Sequence, residues 1–559
     1  MGGVLMTAIN VPRRTTDLAD VSAIAPTSGQ VQAYDAGVAK YTPTQLFDVV
    51  NAASFPGVDP TGSTDSTAGL QTAIAAAAAG AGGKAVLLPP GTYVISNSGS
   101  GHSYALDVPS GVVIRGSGPG TVVRLASGQI TWTRGFNVAS RSNVLIEDLT
   151  YDGNTAGNPN GETNACEQQA GFFVNASSDV IVRGVTVQNT SGDGIYWYGG
   201  AVRCSVDGCR FDNIQRVGVN VQSATDCLVN GSYFKNNASN NHIKAELDNA
   251  GQGGSGLAIV GNIFDGISAV GIGISGYATF VAGTVTLANG SAAVVGSGTT
   301  FTTLPVGATL VFSNDTTGSV YVVRHVQDNT HLTLTANYSG PSGSGIVTEY
   351  ENLWKDITVT GNVFTNLVIG INVGYYTRNW AITGNTFDDV SSPVAVNTYG
   401  TPLGFTARRN VIFSNNTIAG NLVTSEPPVY LANTTGVVIS GNVISGNLNQ
   451  YGITVAHCDG VHISNNLVGL AVSGGSAVTF YRSKHYVCNG LTVSNPGGSV
   501  CVSVQDDATY QSGPGLVTNV LATTAVTSYG VVTAIALSGT PVNVGIVVSP
   551  GTPTYGSTT

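Results

Sequence analysis

The stretch that decides the fold is residues 204–264, in which CSVDGCRF (204–211), CLVNGSYF (227–234) and LAIVGNIF (257–264) repeat one pattern. Each copy alternates apolar and polar residues, turns at a Gly, and ends on an apolar residue. Further copies follow at ITVTGNVF (357–364) and WAITGNTF (380–387). Aligned on the last apolar residue, most intervals cluster near 24 residues. This period, with period-two alternation and no helical pattern, is typical of a parallel β-solenoid.

A second column of strands keeps the same period. It contains, among others, GIYW (194–197), GVNV (218–221), HIKA (242–245) and GIGI (271–274). Successive coils lie ~4.8 Å apart, so residues of one column should stack like on like. We therefore expect a buried stack of Phe211, Phe234 and Phe264.

Two other recurrent residue types are interpreted as structural. Cys204 and Cys227 fall in one column and are expected to be small buried hydrophobes. The recurrent asparagines are expected in left-handed turns or in a side-chain amide ladder. These asparagines are Asn262, Asn362, Asn385 and Asn442.

The intervals also divide the chain. Residues 1–50 are polar, lack a core pattern and are expected to form an N-terminal attachment arm. Residues 51–500 are predicted to form the shaft, begun by a capping helix after Ser66. An interval of 100 residues between Phe264 and Phe364 requires an insertion, predicted as a small antiparallel β module at 277–350 that either binds sugar or decorates the shaft. Residues 501–559 are expected to form a β-rich C-terminal cap and trimerisation segment.

The composition excludes several classes of protein. Only 21 residues are Lys or Arg and 31 are Asp or Glu, with a net charge of −10. That balance argues against a nucleic-acid partner, which requires a basic stripe. No stretch has the length and apolarity of a membrane span and no secretory leader is visible, so no membrane insertion is expected. The seven cysteines show no metal-ligand spacing, and neither a metal nor a cofactor is expected.

The densest charged cluster lies in one strand, HIKAELD at 242–248. If Ile243, Ala245 and Leu247 point inward, the four ionisable groups share the outer face at ~6.7 Å intervals. These groups are His242, Lys244, Glu246 and Asp248.

The register places polar and aromatic neighbours beside this strand. Asn220 and Gln222 are expected next to Lys244 and Glu246. Tyr196 and Tyr198, with Asp193 at the start of their strand, lie one coil earlier, and the small Gly273 and Ser275 one coil later. Aromatic rings and amides on a shallow face are typical of a sugar-binding groove.

Three alternatives remain for this cluster. A glycoside hydrolase needs two carboxyl groups, and the Glu246–Asp248 spacing suits an inverting enzyme; Asp193 is a third candidate catalytic carboxylate. A lyase would use Lys244 and His242 as cation and base. The structural alternative is a surface ion pair between Lys244 and Glu246 that contributes under ~1 kcal/mol.

Beyond these patterns, the N-terminal part of the chain resembles a known family. Phe55, Gly57, Val58 and Asp65, followed by LLPPGTYVI at 87–95, resemble the opening of pectate-lyase-like right-handed β-helix proteins, which bacteriophage tailspikes commonly carry. The paired-Asp motif of polygalacturonases is missing.

The resemblance implies a right-handed parallel β-helix, assembled as a homotrimer and joined to other phage tail proteins through residues 1–50. It also implies a virion protein made in the host cytoplasm that acts at the host cell surface. The leading function is a tailspike that binds and depolymerises a host cell-surface polysaccharide, with hydrolysis favoured over lyase chemistry. The alternative is a non-enzymatic adhesin or structural spike. A free bacterial enzyme is a third, disfavoured by the N-terminal arm.

Overall fold

The fold is a stack of parallel coils. The structure, a computed structural model, describes residues 30–35, 40–45, 49–79, 85–97, 103–129, 132–159, 169–236, 241–247, 252–266, 270–315, 319–374, 376–396, 408–420, 427–446, 451–469, 476–494, 500–505, 515–518, 520–523, 535–538 and 544–547. Each typical coil contributes one strand to each of three parallel sheets, as in Ile369–Val373, Thr377–Thr383 and Thr386–Asp388. The predicted parallel β-solenoid is confirmed, with about 14 turns and little helix.

The three sheets are named here in the order in which a coil visits them. The strands of sheet 1 are Ser103–Asp107, Thr133–Ala139, Ala170–Asn175, Asp193–Tyr198, Val219–Gln222, Asn241–Glu246, Val270–Ser275, Ile369–Val373, Ser392–Val396, Val429–Ala432, Tyr451–Ala456, Ser476–Tyr481, Val500–Gln505 and Ile535–Ser538. The strands of sheet 2 are Val49–Asn51, Ala85–Leu87, Val113–Arg115, Ser142–Glu147, Ser178–Arg183, Ala201–Val202 with Ser205–Asp207, Ala224–Thr225 with Leu228–Asn230, Gly254–Ser255 with Ala258–Val260, Trp354–Thr360, Thr377–Thr383, Arg408–Ser414, Thr434–Ser440, Asp459–Ser464, Lys484–Asn489, Gly515–Thr518 and Val544–Val547. The strands of sheet 3 are Thr61–Asp65, Gly91–Ile95, Thr121–Leu125, Thr150–Asp152, Thr186–Thr190, Arg210–Ile214, Tyr233–Lys235, Ile263–Asp265, Val363–Thr365, Thr386–Asp388, Thr417–Ala419, Val443–Ile444, Leu467–Gly469, Thr492–Ser494 and Leu521–Thr523.

Inside the coils, aromatic rings stack from one sheet 3 strand to the next. Ring centroids are 4.5 Å apart for Phe211–Phe234, 5.0 Å for Phe234–Phe264 and 4.8 Å for Phe264–Phe364. Phe387 continues the stack at 4.7 Å from Phe364. The predicted like-on-like column is therefore confirmed.

Cys204 and Cys227 are also buried as neighbours, as expected.

The recurrent asparagines form an amide ladder at the turn between sheets 2 and 3. The side-chain amide and backbone N–H of Asn262 both donate to the Asn362 Oδ1, at 3.0 and 2.9 Å. The same pair of bonds repeats through Asn385, Asn416, Asn442 and Asn466. The left-handed turn belongs instead to the preceding residue, such as Gly261 or Asn415. Of the two alternatives, the structure therefore shows the ladder.

The N-terminal end of the shaft is covered by the helix Thr67–Ala78. The Asp65 carboxylate accepts a hydrogen bond from the Thr67 backbone N–H at 2.8 Å, which satisfies one free donor of the first turn. Leu70, Ala73 and Ile74 are buried and belong to the shaft core. Two further short 3-10 helices span Ala52–Ser54 and Phe301–Thr303. Among the described residues, no helix combines the length and the apolar character that crossing a membrane requires.

Between Ser275 and Trp354 the chain leaves the coils and forms an antiparallel β module with its own hydrophobic core. This is the stretch in which the insertion was predicted. Its strands are Tyr277–Phe280, Thr284–Leu287, Ala293–Ser297, Thr309–Phe312, Tyr321–Val326, His331–Leu334, Gly343–Ile346 and Thr348–Asn352.

Both ends add strands outside the predicted shaft. Gln30–Asp35 and Lys40–Gln45 form an antiparallel hairpin. Beyond residue 500, described strands continue the ladders, since Val502 pairs in register with Ile535 and Gly515 with Val544. The coils therefore extend past the predicted boundary at 500.

The ring stack generates a stability prediction. Phe234→Ala should lower the free energy of unfolding by ~3–5 kcal/mol, because it removes a fully buried ring packed between two others. Denaturant unfolding followed by circular dichroism measures this. The control is Phe280→Ala, whose ring is 48% exposed, and it should change stability little. Equal effects of the two substitutions would contradict the buried column.

Candidate functional site

The candidate site lies on the outer face of sheet 1, where two columns of side chains run side by side. The first column pairs Tyr196 with Asn220, Asn220 with Lys244, and Lys244 with Gly273. The second pairs Gln222 with Glu246 and Glu246 with Ser275. The neighbours predicted from the repeat are therefore confirmed, because a parallel ladder transmits its register from coil to coil.

Lys244 and Glu246 form the charged centre of this face. The Lys244 Nζ lies 2.5 Å from the Glu246 Oε2, and the side chains are 31% and 16% exposed. The adjacent coil presents Gly273 and Ser275, and the Asn241 side-chain amide occupies the space beside Gly273. The arrangement joins an ammonium donor and a carboxylate acceptor on a surface that a polymer can approach.

The aromatic part of the face is more enclosed than predicted. The Tyr196 ring packs against Phe173 and Tyr198, with centroids 5.6 Å away in each case, and Tyr196 is only 2% exposed. The Tyr196 hydroxyl donates to the Gln222 Oε1 at 3.4 Å. The guanidinium carbon of Arg134 stands 3.3 Å from the centroid of the Phe173 ring. Tyr196 therefore supports the face from within, and Tyr198 is the partly exposed ring.

The two amides predicted to bind substrate are also buried. Asn220 and Gln222 are 1% and 3% exposed. Asn220 donates its side-chain amide to the Asp193 carboxylate at 2.9 Å. The prediction that Tyr196, Asn220 and Gln222 form an open contact surface is therefore wrong in the structure, because neighbouring columns cover them.

Asp193 lies beneath the face and not on it. Its carboxylate accepts hydrogen bonds from the Arg216 Nη1 at 2.7 Å and from the Val217 backbone N–H at 3.2 Å, and it is fully buried. Burial raises the pKa of Asp193 to about 6, against the opposing effect of the Arg216 charge. A carboxylate sealed in this way cannot contact a polymer on the outer surface. The structure therefore shows Asp193 enclosed and ion-paired with Arg216, and its catalytic role stays a prediction.

His242 is the clearest departure from the predicted alternation. Both His242 and Ile243 are fully buried, and the His242 ring centroid lies 5.9 Å from those of Phe234 and Phe264. In the preceding coil the same column holds Gly218, where an added Cβ would meet the Phe234 ring at 2.9 Å. The His242 ring therefore packs against the rings of sheet 3 in a column that holds Gly218 and Gly271 in the neighbouring coils. The prediction that His242 shares the outer face with Lys244 is wrong.

Several candidates lie outside the described residues, and one further contact was not predicted. Asp248 lies outside the described residues, as do Glu162 and Glu167, two further carboxylates that the sequence offers as candidates beside the same groove. Sequence analysis missed Arg216 as the partner of Asp193; the register that pairs Asp193 with the position of Val217 could have found it. Within the described residues, no three His, Cys, Asp or Glu side chains are grouped so that they could hold a metal.

The burial of His242 predicts a pH effect on stability. Burial lowers the pKa of the His242 imidazole from 6.5 to about 3. As the pH falls below 6.5, the unfolded chain takes up a proton that the folded chain excludes, so the free energy of unfolding should fall by ~1.4 kcal/mol per pH unit in that window. Between pH 7 and pH 5, His242 alone should lower the free energy of unfolding by ~2 kcal/mol.

His242→Phe should abolish this loss of stability at acidic pH. Urea unfolding at pH 7 and at pH 5 measures the effect. The control is His462→Phe on the exposed surface of sheet 2, which should keep the acid sensitivity of the parent. An unchanged acid sensitivity in His242→Phe would show that the ring is accessible to protons in the folded chain.

Two family patterns match the chain. Residues 49–304 match the family described as rhamnogalacturonase A/epimerase, pectate lyase-like, and residues 324–495 match the right-handed β-helix region.

Among curated proteins, the chain is similar to mannuronan C5-epimerases of Azotobacter vinelandii. It is 41% identical to AlgE3 over 101 residues, which are 17% of this chain and 5% of that protein. It is 37% identical to AlgE4 over 144 residues, or 24% of this chain and 25% of that protein. The chain thus spans a quarter or less of the length of these relatives.

Solved structures with a similar fold include the A-module of the A. vinelandii mannuronan C-5 epimerase AlgE6. The match has 15% sequence identity and a TM-score of 0.46, and it covers 85% of this chain and all of that one. A tailspike protein of the E. coli bacteriophage HK620, solved with a pentasaccharide, gives 14% identity and a TM-score of 0.47 over 89% and 84% of the two chains. Together with the coil geometry, these matches show that the chain carries a right-handed parallel β-helix, and residues 49–304 are similar to the pectate-lyase-like family.

Proposed function

We propose that this chain binds a cell-surface polysaccharide on the outer face of sheet 1 and depolymerises it there. The observation that carries the proposal is the partly exposed Lys244–Glu246 ion pair on the outer face of sheet 1. An ammonium, a carboxylate and the nearby ring of Tyr198 supply donors, acceptors and a stacking surface, which are the groups that sugars require. The relatives and neighbours of this chain that bind or act on polysaccharides support the same class of ligand.

Hydrolysis is the chemistry that these residues fit best. Glu246, ion-paired with Lys244, is suited to act as the charged carboxylate that activates water. The second carboxyl group of an inverting pair is assigned, from the sequence, to Asp248. A lyase would have used His242 as its base, and the burial of that ring disfavours it.

Two alternatives are supported by specific observations. The direct Lys244–Glu246 contact also fits an adhesin that binds glycan without cleaving it, since each charge already has a partner. The similarity to mannuronan C5-epimerases favours a polymer of uronate units, whose carboxylates the Lys244 ammonium would attract.

The proposed biological setting rests on the resemblance of residues 55–95 to the opening that bacteriophage tailspikes commonly carry. We propose a homotrimeric phage tailspike in the virion, joined to other tail proteins through residues 1–50 and acting at the host surface. The polar composition of the arm supports this proposal.

The products distinguish the alternatives. The purified chain is incubated with capsular polysaccharides, polygalacturonate and polymannuronate. New reducing ends indicate hydrolysis, and products that absorb in the ultraviolet indicate unsaturated uronates from a lyase. A changed uronate composition without shorter chains indicates epimerisation, whereas binding without products indicates the adhesin.

The proposed site predicts the behaviour of three variants. Glu246→Gln and Asp248→Asn should each lower turnover by orders of magnitude, because each removes a reacting carboxyl group. Glu246→Gln should change the melting temperature little, since a partly exposed ion pair contributes under ~1 kcal/mol. Tyr198→Ala should weaken binding by ~1 kcal/mol, the scale of a lost aromatic contact.

Reducing-end assays and binding measurements on the same polysaccharide would check these values. The matched control is Glu349→Gln in the inserted module, which should keep full turnover. Wild-type turnover in both carboxylate variants would place the reaction elsewhere, and Glu162 and Glu167 would be tested next.

The arm generates a separate prediction. Deletion of residues 1–46 keeps the first described strand of the shaft, Val49–Asn51, which pairs with Ala85–Leu87. The shortened chain should stay folded and soluble, with unchanged thermal unfolding, and should no longer join virions in an assembly assay. Loss of the folded shaft on this deletion would refute an attachment arm.

A further inference from the structure

A second depression lies on the outer face of sheet 1, in coils that sequence analysis did not single out. Its volume is about 200 Å³. Its walls combine three tyrosine rings with two hydroxyls and an amide, and none of these described lining groups carries a formal charge. They are Tyr430, Tyr451, Tyr481, Thr454, Thr479 and Gln505.

The register explains why these side chains converge. Tyr430, Thr454 and Thr479 occupy one outward column on three successive strands. Tyr481 and Gln505 follow one another in the parallel outward column. The depression is therefore built into rigid strands, which favours a preformed site over one that folds around its ligand.

One ring of the depression, that of Tyr481, has close neighbours of its own. The His457 ring packs edge-on against Tyr481 with centroids 5.4 Å apart, and the Arg482 guanidinium carbon lies 4.6 Å from the Tyr481 ring centroid. These contacts fix the orientation of the ring before any ligand arrives. A fixed aromatic face is the surface on which the CH groups of a sugar stack.

The hydroxyl of Thr479 has no partner among the described residues. Thr479 is 3% exposed, and its Oγ1 is enclosed without a hydrogen bond. A buried hydroxyl without a partner is costly, and native structures seldom keep one without a reason. Its position at the wall of the depression lets a bound hydroxyl group serve as that partner after a small side-chain rotation.

We propose that this depression, the Tyr430–Tyr481 pocket, is a second glycan subsite that binds one uncharged pyranose ring. The ring would stack on tyrosine and hydrogen-bond to Thr454, Thr479 and Gln505. The volume suits a single sugar unit, since pockets for larger, drug-sized ligands run to ~300–1,000 Å³. The described lining residues carry no formal charge, and the Arg482 guanidinium stands against the Tyr481 ring, so a neutral sugar is favoured over a uronate.

The pocket is separate from the Lys244–Glu246 site. Five strand-to-strand steps along one outward column lead from Lys244 to Thr454, a distance of ~24 Å. The subsite therefore binds sugar whether or not cleavage occurs at Glu246. A polysaccharide lying along the shaft could contact both places.

The test is ligand-observed NMR with the full chain and methyl glycosides of glucose, galactose, mannose, rhamnose and N-acetylglucosamine, with methyl glucuronoside as the charged comparison. At least one uncharged glycoside should bind. Tyr451→Ala should weaken that binding about tenfold, on the scale of a lost stacking contact. Thr479→Val should weaken it about fivefold, on the scale of one hydrogen bond.

Controls separate this site from a structural effect and from the first site. Thr479→Val removes a hydroxyl that has no partner among the described residues, so its melting temperature should not fall. Thr492→Val changes the same coil on sheet 3, and Lys244→Ala changes the first site; both should bind the glycoside as the parent does. The proposal is overturned if no uncharged glycoside binds, if only the glucuronoside binds, if both pocket variants bind normally, or if Lys244→Ala abolishes binding.

Discussion

The stacking of one coil on the next is the constraint on which the rest of this structure depends. Each inward side chain packs against its equivalents in the coils above and below, as the rings of Phe211, Phe234 and Phe264 do at 4.5 and 5.0 Å. The same register aligns the amides that run from Asn262 to Asn466. Because one residue serves two neighbours, a column tolerates few changes of size or polarity, and this keeps the sequence repetitive.

The same constraint fixes polar groups in rigid positions. Glu147 is held between Arg115 and Arg183 on sheet 2, with an oxygen 2.5 Å from each guanidinium. Asp193 and Arg216 form a buried pair beneath sheet 1. Such groups have little freedom to meet a ligand, so the chemistry of the shaft depends on the few charged or aromatic side chains that remain on an outward column.

Sheet 1 carries two such places, and their chemistry differs. The Lys244–Glu246 site offers charges beside small residues, whereas the Tyr430–Tyr481 pocket offers rings, hydroxyls and an amide. Both stand on strands and not on loops, so both are preorganised. The proposed sites for charge and for stacking therefore lie at separate places along one sheet.

The sequence by itself determined the coil period, the ring column, the buried cysteines, the asparagine ladder as one of two alternatives, and the neighbours of Lys244 and Glu246. These features follow from local alternation and a constant register, both of which are written in the chain. Only the tertiary structure decided which of the aligned side chains are open to solvent. His242 is buried against the Phe234 and Phe264 rings in a column that holds glycine in the neighbouring coils, and Tyr196, Asn220 and Gln222 are buried as well. A period of two gives the direction of a side chain on a straight strand, but bends and coverage arise from contacts between residues distant in sequence.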